Sequence, residues 1–404
     1  MFGRGAVPLA SQMAAVGDTL LSDDGRQGPR VLALLPASWM CASLVAGPQV
    51  PAASSGAYAD YDALVDRSFP GSLSFIDSEV FKEWLFDRTT CWYKMYVRTG
   101  SRKYAEAAYQ AAHFVRQHTS ATGAFTLKDF EDPKYVYPQA MHLHYLLTGD
   151  DRALEAGKAM ARLHLRTLDP VYDPSALRAP PLGVDPERDR RFWSPRQQGF
   201  GLLGVVHGWE MTGDVSYLDK ARGCVGAYAR HQASPPDGAP PDGSWRQDWW
   251  LYDPNEATFK GATSAWMTAI LLDALFQYWV RTRDARVAPM VTRWCDVLDR
   301  QGFVPDGSQA WYVIDCLASD AGHATGEPGV DMYAHNLELA YSFAMGVFFS
   351  PDPRRREVYG KRFADLFRRA LTVDLNAIGR SYNWAFSASS QLVYFMQRPG
   401  AGAA

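Results

Sequence analysis

The chain contains few cysteines, five in 404 residues. Cys91, Cys224, Cys295 and Cys316 show none of the paired Cys-x-x-Cys spacing of structural zinc sites, which argues against such a site. Three of these four lie inside helical patterns, where a cysteine packs as a small apolar residue. The sequence also lacks a glycine-rich phosphate loop, a haem motif and a metalloprotease motif. We therefore expect no nucleotide, redox cofactor or bound metal.

An excess of charge of either sign is also missing. Lys and Arg total 41 against 44 Asp and Glu, and the formal charge of −3 is too close to neutral for a nucleic-acid-binding protein. Apolar residues make up 47% and aromatic residues 13% of the chain, enough for a substantial core. The length allows two domains, but one repeated unit runs through nearly all of it. This favours a single domain over residues 61–404.

The first 60 residues lack the repeated pattern and differ from the rest of the chain. Residues 1–29 are glycine-rich and polar, and Arg30 then precedes VLALLPASWMCASLVAG and the small-residue stretch PAASSGAYA. This order resembles a secretory signal peptide, and the run is too short and too broken by Pro36 for a membrane span. Residues 1–60 are thus predicted to be a poorly packed lead and signal peptide of a secreted or periplasmic protein without stable membrane insertion. A buried or disordered arm is the alternative, and Cys41 in SWMC makes a poor lipoprotein anchor.

A helical hairpin recurs along the chain. In HLHYLLTGDDRALEAGKAMARLHL, residues 142–165, apolar helical patterns flank a Thr-Gly-Asp turn. Gly149 suits a left-handed residue after a helix end, and Asp150 can cap the next helix. Long connections separate successive hairpins, and compact domains seldom keep such loops unless they have a function. Related copies have their turns at Thr99 and Thr212, a looser copy has its turn at Thr282, and residues 337–367 resemble one more.

The long connections are rich in side chains that bind sugars. Five of them lead into helices and carry Trp, Tyr, Arg, His, Asn or Gln; they span 125–145, 191–210, 243–266, 329–341 and 379–390. Sugar rings stack on aromatic faces and their hydroxyl groups bond to planar polar groups, so these segments predict a carbohydrate site. Core packing is the alternative for any single aromatic residue. The predicted substrate-binding residues are Tyr137, His142, Trp193, Gln197, Arg246, Trp249, Trp250 and Trp384.

Hairpins joined by Thr-Gly-Asp turns, with aromatic and polar residues where the inner helices begin, resemble the (α/α) toroids of six-hairpin glycosidases and several polysaccharide lyases. The segments KGATSAWMTAILLDALFQYWVRTRDARV and SYNWAFSASSQL are the most similar in style. The resemblance covers about residues 75–395. It implies an all-α fold, an (α/α)6-type toroid that is complete or incomplete. It also implies a carbohydrate-active enzyme whose polysaccharide or oligosaccharide substrate lies in a cleft at one end of the ring.

The first mechanism compatible with this resemblance is β-elimination from a uronate-containing chain. A cation or amide neutralises the carboxylate, a base removes the C5 proton and an acid protonates the leaving oxygen. Tyrosine and histidine commonly fill the last two roles on such toroids, and DMYAHN, residues 331–336, supplies both. Arg196 and Arg246 are candidates for binding the carboxylate, because a guanidinium binds it bidentately. The predicted catalytic residues are Tyr333, His335, Asn336 and Arg196, with His207 as the alternative base.

The second mechanism is hydrolysis by two carboxyl groups about 5 to 9.5 Å apart, one protonated and one ionised. Candidate carboxylates in the connections are Asp77, Glu79, Asp87, Asp248, Asp253, Glu256 and Asp331. Asp248, Asp253 and Glu256 are the preferred set, although no pair stands out. The histidine, tyrosine and arginine content of the connections favours elimination.

Two further readings remain open from the sequence. A glycan-binding toroid without catalysis would use the same aromatic cleft. A sugar epimerase of the 2-epimerase type would also share the ring, and His142 and His144 in YPQAMHLHYLLTGD fit that reading.

Overall fold

The structure is a computed structural model. About 70% of the residues that it describes are helical and 3% are in strands, which confirms the predicted all-α class. The described residues are 34–128, 131–170, 193–235, 240–247, 262–307, 309–315, 335–375 and 379–403.

Five hairpins, each with an inner and an outer helix, form most of the fold. In chain order they are α3 Arg88–Thr99 with α4 Arg102–Gln117, α5 Pro138–Thr148 with α6 Asp151–Thr167, α7 Pro195–Thr212 with α8 Val215–Ala233, α9 Ala265–Thr282 with α10 Val287–Gln301, and α11 Asn336–Phe349 with α12 Pro353–Ala370. The other helices are α1 Ala37–Ser43, α2 Ala59–Leu73, α13 Gly379–Ser387 and α14 Leu392–Met396. Two short strands, β1 Ala262–Thr263 and β2 Ile314–Asp315, pair antiparallel.

The inner helices close into a ring. Each of α3, α5, α7, α9 and α11 contacts the next inner helix along the chain, and α13 contacts both α11 and α3. The sixth pair joins the two ends of the chain, because α13 packs against α2 on the outside. The fold is therefore an (α/α)6 toroid, as the resemblance implied.

Burial follows the sequence pattern of each helix. Every residue of α11, from Asn336 to Phe349, is buried, whereas α12 buries one face through Tyr359, Phe363 and Leu366. A helix that is apolar all round must be enclosed, and a helix with one apolar stripe covers it. The core is thus a double layer in which the outer helices shield the inner ring.

The predicted turn chemistry is confirmed at Thr-Gly-Asp. Gly149 takes the left-handed conformation with φ 73°, and the side chain of Asp150 accepts a hydrogen bond from the Arg152 backbone N–H. The fourth turn has Arg283 in the same position with φ 53°. Its guanidinium lies 4.1 Å from the centre of the Trp279 ring, a contact that offsets part of the backbone strain.

The N-terminal segment differs from its prediction. Residues 34–50 pack against the ring instead of standing apart: Met40 is fully buried, and Cys41 Sγ lies 3.5 Å from the Val97 carbonyl oxygen. The segment contacts the end of α3 because its apolar residues cover the ring there, so the expectation of poor packing is wrong for these residues. Export stays a prediction. Among the described helices, none combines the length and apolar character needed to cross a membrane.

The predicted burial of the helical cysteines is confirmed, since Cys91, Cys224 and Cys295 are each fully buried. Cys316 lies outside the described residues.

Helix α7 packs unusually close to its neighbours because glycines face them. A Cβ atom on Gly199 would lie 2.7 Å from the Ile270 carbonyl carbon of α9, and one on Gly204 would lie 2.3 Å from the His164 ring of α6. Helices α7 and α9 are neighbours in the inner ring, so they cannot separate without opening it. Small residues at these points are therefore a condition of ring closure.

We expect Gly199→Ala to destabilise the protein by about 1 to 3 kcal/mol, because the added methyl group overpacks backbone against backbone. The matched control is Gly223→Ala on α8, where a Cβ atom would meet nothing within 4 Å. It should raise the unfolding free energy by up to about 1 kcal/mol through helix propensity. Urea unfolding followed by circular dichroism measures both, and equal effects would contradict the packing argument.

Candidate active site

A cavity of about 300 Å³ opens where the inner helices begin. Leu85 and Phe86 come directly before α3, and Arg196 and Trp266 lie in the first turns of α7 and α9. The remaining lining residues come from the segments before α5, β2 and α11, from α13 and from the stretch before α3; they are Phe81, Lys82, Lys134, Tyr135, Tyr312, His335, Arg380 and Trp384. All six inner helices thus contribute to one mouth of the ring.

A stack of flat side chains forms one wall of this cavity. The His335 ring lies between the Trp266 and Trp384 rings, with centroid distances of 4.7 and 5.0 Å and interplanar angles of 12° and 23°. The Arg196 guanidinium lies 5.5 Å from the Trp266 ring, and the Arg380 guanidinium lies 4.8 Å from the Trp384 ring. The order Arg–Trp–His–Trp–Arg joins the beginnings of α7, α9, α11 and α13.

Glu338 fixes the orientation of His335 in this stack. His335 Nδ1 contacts Glu338 Oε2 one turn further along α11, and both side chains are buried. Burial raises the pKa of Glu338, and the neighbouring His335 opposes that rise. A carboxylate on Nδ1 sets the tautomer of the imidazole and leaves Nε2 as the other ring nitrogen for chemistry.

The cavity is cationic. Its lining includes Lys82, Lys134, Arg196 and Arg380, and no carboxylate is among the described residues that line it. Lys134 Nζ lies 3.7 Å from Asp132 Oδ2, behind the wall. The partial positive ends of the inner helices point to the same mouth. This arrangement favours an anionic ligand with flat faces.

A smaller cavity lies one to two turns deeper in the ring and carries the acids. Asp87, Gln139, Asp273 and Glu338 line it, and Phe86 lines both cavities. Asp87 has φ 55° and begins α3, with Oδ1 accepting from the Thr90 N–H at 3.0 Å and Oδ2 accepting from Gln139 Nε2 at 2.7 Å. Burial nevertheless raises the pKa of Asp87 to about 6.

Three predicted site residues meet at the larger cavity: Arg196, His335 and Trp384. Asn336 is buried at the first position of α11, and among the described residues its Nδ2 has no hydrogen-bond partner. Tyr137 supports the wall, because its hydroxyl accepts from the Phe86 N–H at 2.9 Å. The predicted residues Tyr333, Asp248, Trp249, Trp250, Asp253 and Glu256 lie outside the described residues.

Other predicted residues lie elsewhere. Arg246 is fully buried and held by Asp242 Oδ1 at 3.3 Å and the Pro240 carbonyl at 2.7 Å, so it does not line the cavity as a carboxylate clamp. The centre of the Trp193 ring lies 4.7 Å from the centre of the His231 ring, and Trp193 is not among the residues that line the cavity. The backbone N–H of Gln197 donates a hydrogen bond to the hydroxyl of Ser194, the residue that caps α7.

His142 and His207, which were also predicted to belong to the site, do not line the cavity. His207 lies eleven residues after Arg196 on α7, which at 1.5 Å per residue is about 16 Å along the axis. His207 and His142 contact each other near the opposite end of the ring. His207 therefore cannot share a sugar ring with Arg196 and His335 as the alternative base, and His142 is not a lining residue of the cavity.

Trp266, Arg380 and Glu338 were missed. A positional signal existed, since Arg196, Trp266 and Arg380 are each the second residue of an inner helix. A search of the second position of every inner helix would have found Trp266 and Arg380, the two members of the stack that residue type alone did not identify.

Comparison with known proteins places the fold. No family model matches the sequence, and no curated protein sequence matches it. Among solved structures, the chain is similar to the unsaturated glucuronyl hydrolase of Bacillus sp. GL1, described as responsible for the degradation of glycosaminoglycan, with 14% identity, a TM-score of 0.51, and coverage of 80% of this chain and 87% of that one. A UGL variant solved with dGlcA-Glc-Rha-Glc matches at 13% identity and TM-score 0.51, with the same coverage.

A GH127 β-arabinofuranosidase matches at 12% identity and a TM-score of 0.38, over 80% of this chain and 51% of that one, too distant to support an argument. At 13 to 14% identity, the other two structures support the fold alone, the (α/α) toroid.

We expect Asp87→Asn to change the pH dependence of stability. A carboxyl pKa raised from 3.8 to about 6 makes the folded state lose stability as pH rises between these values, because ionising the buried group costs free energy. Asparagine keeps the cap and tolerates the left-handed backbone but cannot ionise. Relative to the wild type, the variant should therefore gain up to about 3 kcal/mol between pH 4 and pH 7.

Urea unfolding at both pH values measures this difference. The exposed carboxylate variant Asp219→Asn is the control and should show no such change. A difference between Asp87→Asn and the wild type that is independent of pH would contradict the assignment.

Proposed function

We propose that the protein is a glycoside hydrolase that acts on a saccharide bearing a carboxylate, a uronate. The observation that carries this proposal is the cavity itself, which combines two stacked tryptophans with four cationic side chains and no acidic residue among its described lining. The edges of the stacked rings offer apolar surface to a sugar ring, and guanidinium groups bind carboxylates through paired hydrogen bonds.

The size of the cavity narrows the substrate. At about 300 Å³, it is at the small end of ligand pockets, which typically span about 300 to 1,000 Å³. That volume suits the terminal unit of a short saccharide better than the interior of a long polymer. The helix beginnings around the mouth add partial positive charge, which further favours a terminal uronate.

Two groups in or beside the cavity can fill the roles of acid and base that hydrolysis requires. Asp87, with its pKa raised to about 6, is a carboxyl that stays protonated for part of the time near neutral pH and serves as proton donor. His335 lines the cavity, and Glu338 orients it, so the pair serves as the base that activates water. The glycosidic oxygen takes the proton, the bond to the anomeric carbon breaks, and water supplies the new hydroxyl.

The similar solved structures support hydrolysis over elimination. One is named an unsaturated glucuronyl hydrolase, and the other is a UGL variant with a saccharide that begins with dGlcA. That saccharide is acidic, and the cationic lining of the cavity favours an anionic ligand. This agreement supports a uronide, and we propose an unsaturated uronide as the preferred substrate.

Elimination by a lyase is the second candidate. One observation favours it, the presence of His335, Tyr135 and Arg196 in a single cavity, which supplies a base, an acid and a carboxylate neutraliser. In this reading Tyr135 or Tyr312 takes the role that the sequence assigned to Tyr333.

One assay separates these candidates. The purified protein is incubated with an oligosaccharide that ends in an unsaturated uronate, with a saturated uronate polysaccharide and with a neutral glycan. Ultraviolet absorbance of the C4–C5 double bond and reducing ends are followed together. Hydrolysis of the unsaturated uronide raises reducing ends while absorbance falls, because the released sugar opens to an α-keto acid. Elimination raises both signals, and no reducing ends from any uronide would contradict the proposal.

We expect Arg380→Gln to raise KM for the uronide about 10- to 100-fold, because it removes one charge-assisted hydrogen bond to the carboxylate. Activity on the methyl ester of the same saccharide should change little, since the ester carries no charge. Arg368→Gln, on the exposed face of α12, is the control and should leave both substrates unaffected. An equal loss on the acid and its ester would show that Arg380 acts through folding and not through charge.

A further inference from the structure

Three side chains with metal-binding atoms converge near the end of the ring opposite the cavity. His142 Nδ1 lies 3.1 Å from His207 Nδ1. Glu210 Oε2 lies 3.4 Å from His207 Nδ1 and 3.8 Å from His142 Nδ1. The three atoms come from α5 and from two positions one turn apart on α7.

These separations match one face of a tetrahedral zinc site. Zinc binds imidazole nitrogen at about 2.0 to 2.1 Å and carboxylate oxygen at about 2.0 to 2.2 Å, which places neighbouring ligand atoms about 3.3 to 3.5 Å apart. The observed distances of 3.1, 3.4 and 3.8 Å differ from this by a few tenths of an ångström. Small side-chain rotations are enough to close the site around an ion.

The contact between the two histidines also suits a metal. His142 Nδ1 lies 3.1 Å from His207 Nδ1, so at least one of the two nitrogens offers a lone pair to the other. Two neutral rings facing each other through Nδ1 share a single hydrogen bond, whereas a metal ion would use both nitrogen atoms.

Two cationic residues, Arg281 and Lys94, lie beside the three candidate ligands. Arg281 donates to Glu210 Oε2 at 2.6 Å and is held by the Gln277 carbonyl at 2.8 Å. Because Oε2 is also the oxygen that faces the two histidines, metal binding requires the carboxylate to turn, so that one oxygen binds the ion and the other accepts from Arg281. Arg281 and Lys94 both oppose the charge of a cation, which keeps its affinity below that of an all-anionic site.

Space and access are available. A space of about 20 Å³ beside His207, lined by Thr90, Lys94, Gln139 and Gln277 among others, is large enough for one water as a fourth ligand. The Glu210 side chain is 28% exposed, against 10% for His142 and 9% for His207. An ion can reach the two buried nitrogens from the Glu210 side.

We propose that His142, His207 and Glu210 bind a divalent transition-metal ion such as zinc, with water as the fourth ligand. The proposal does not rest on the hydrolase proposal, because about 16 Å of helix separates His207 from Arg196 at the cavity. The ion joins α5 to α7 and stabilises the folded ring by binding it in preference to the unfolded chain. It replaces the expectation of a protein without metal.

The test uses the full chain after treatment with a chelator. Zinc binding is measured by calorimetry, cobalt is added as a spectroscopic probe, and thermal unfolding is followed with and without zinc. We expect one zinc ion per chain, a cobalt absorption spectrum typical of a tetrahedral site with nitrogen and oxygen ligands, and a raised melting temperature. The absence of uptake at about 100 µM free zinc would overturn the proposal.

Two variants locate the ion. Glu210→Gln keeps the size of the side chain and the oxygen that accepts from Arg281, yet it should weaken zinc binding at least 10-fold, and His207→Gln should weaken it at least 100-fold. The controls are Glu155→Gln and His113→Gln, which should bind zinc as the wild type does. If His207→Gln does not fold, Glu210→Gln decides. Unchanged binding in Glu210→Gln would show that the ion sits elsewhere and would overturn the assignment.

Discussion

The cavity depends on the contact of His335 with two tryptophans. Trp266, His335 and Trp384 come from three different inner helices, and their stacking holds the beginnings of α9, α11 and α13 at one spacing. A buried carboxylate behind the imidazole keeps the ring from turning. Stacked rings lose little side-chain entropy, so this wall can present ring edges and two guanidinium groups without moving when a ligand binds.

A second constraint is the separation of opposite charges by depth. The cations line the larger cavity, whereas the carboxyl groups of Asp87, Asp273 and Glu338 lie deeper, in the apolar interior of the ring. Burial raises the pKa of Asp87 to about 6 and also raises the pKa of Glu338, so Asp87 is able to give a proton near neutral pH.

Much of the fold could be predicted because it depends on local chemistry. Gly149 and Asp150 identify a turn wherever they occur between apolar helical patterns, and the resemblance supplied the ring. The site was predicted only in part, because residue type does not give depth. Arg196 and His335 reached the cavity from helix beginnings, whereas Arg246 formed an internal ion pair that the sequence could not reveal. The packing of the apolar run after Arg30 was missed for a related reason, since apolar residues serve equally to pack against a ring and to mark a signal peptide.

Position along an inner helix decides what a polar residue does in this ring. Residues at or just before the first turn, such as Arg196 and Trp266, face the cavity, and those about three turns in, such as His207, face the other end. Counting residues from the start of the helix fails for α5. Lys134 and Tyr135, in the turn before α5, line the larger cavity, whereas Gln139 lines the smaller cavity together with Asp87. His142, one turn further, is then brought to the level of His207. The same position of α5 that keeps His142 away from the larger cavity brings the two histidine nitrogens into contact, so it accounts both for the wrong prediction at His142 and for the proposed metal site.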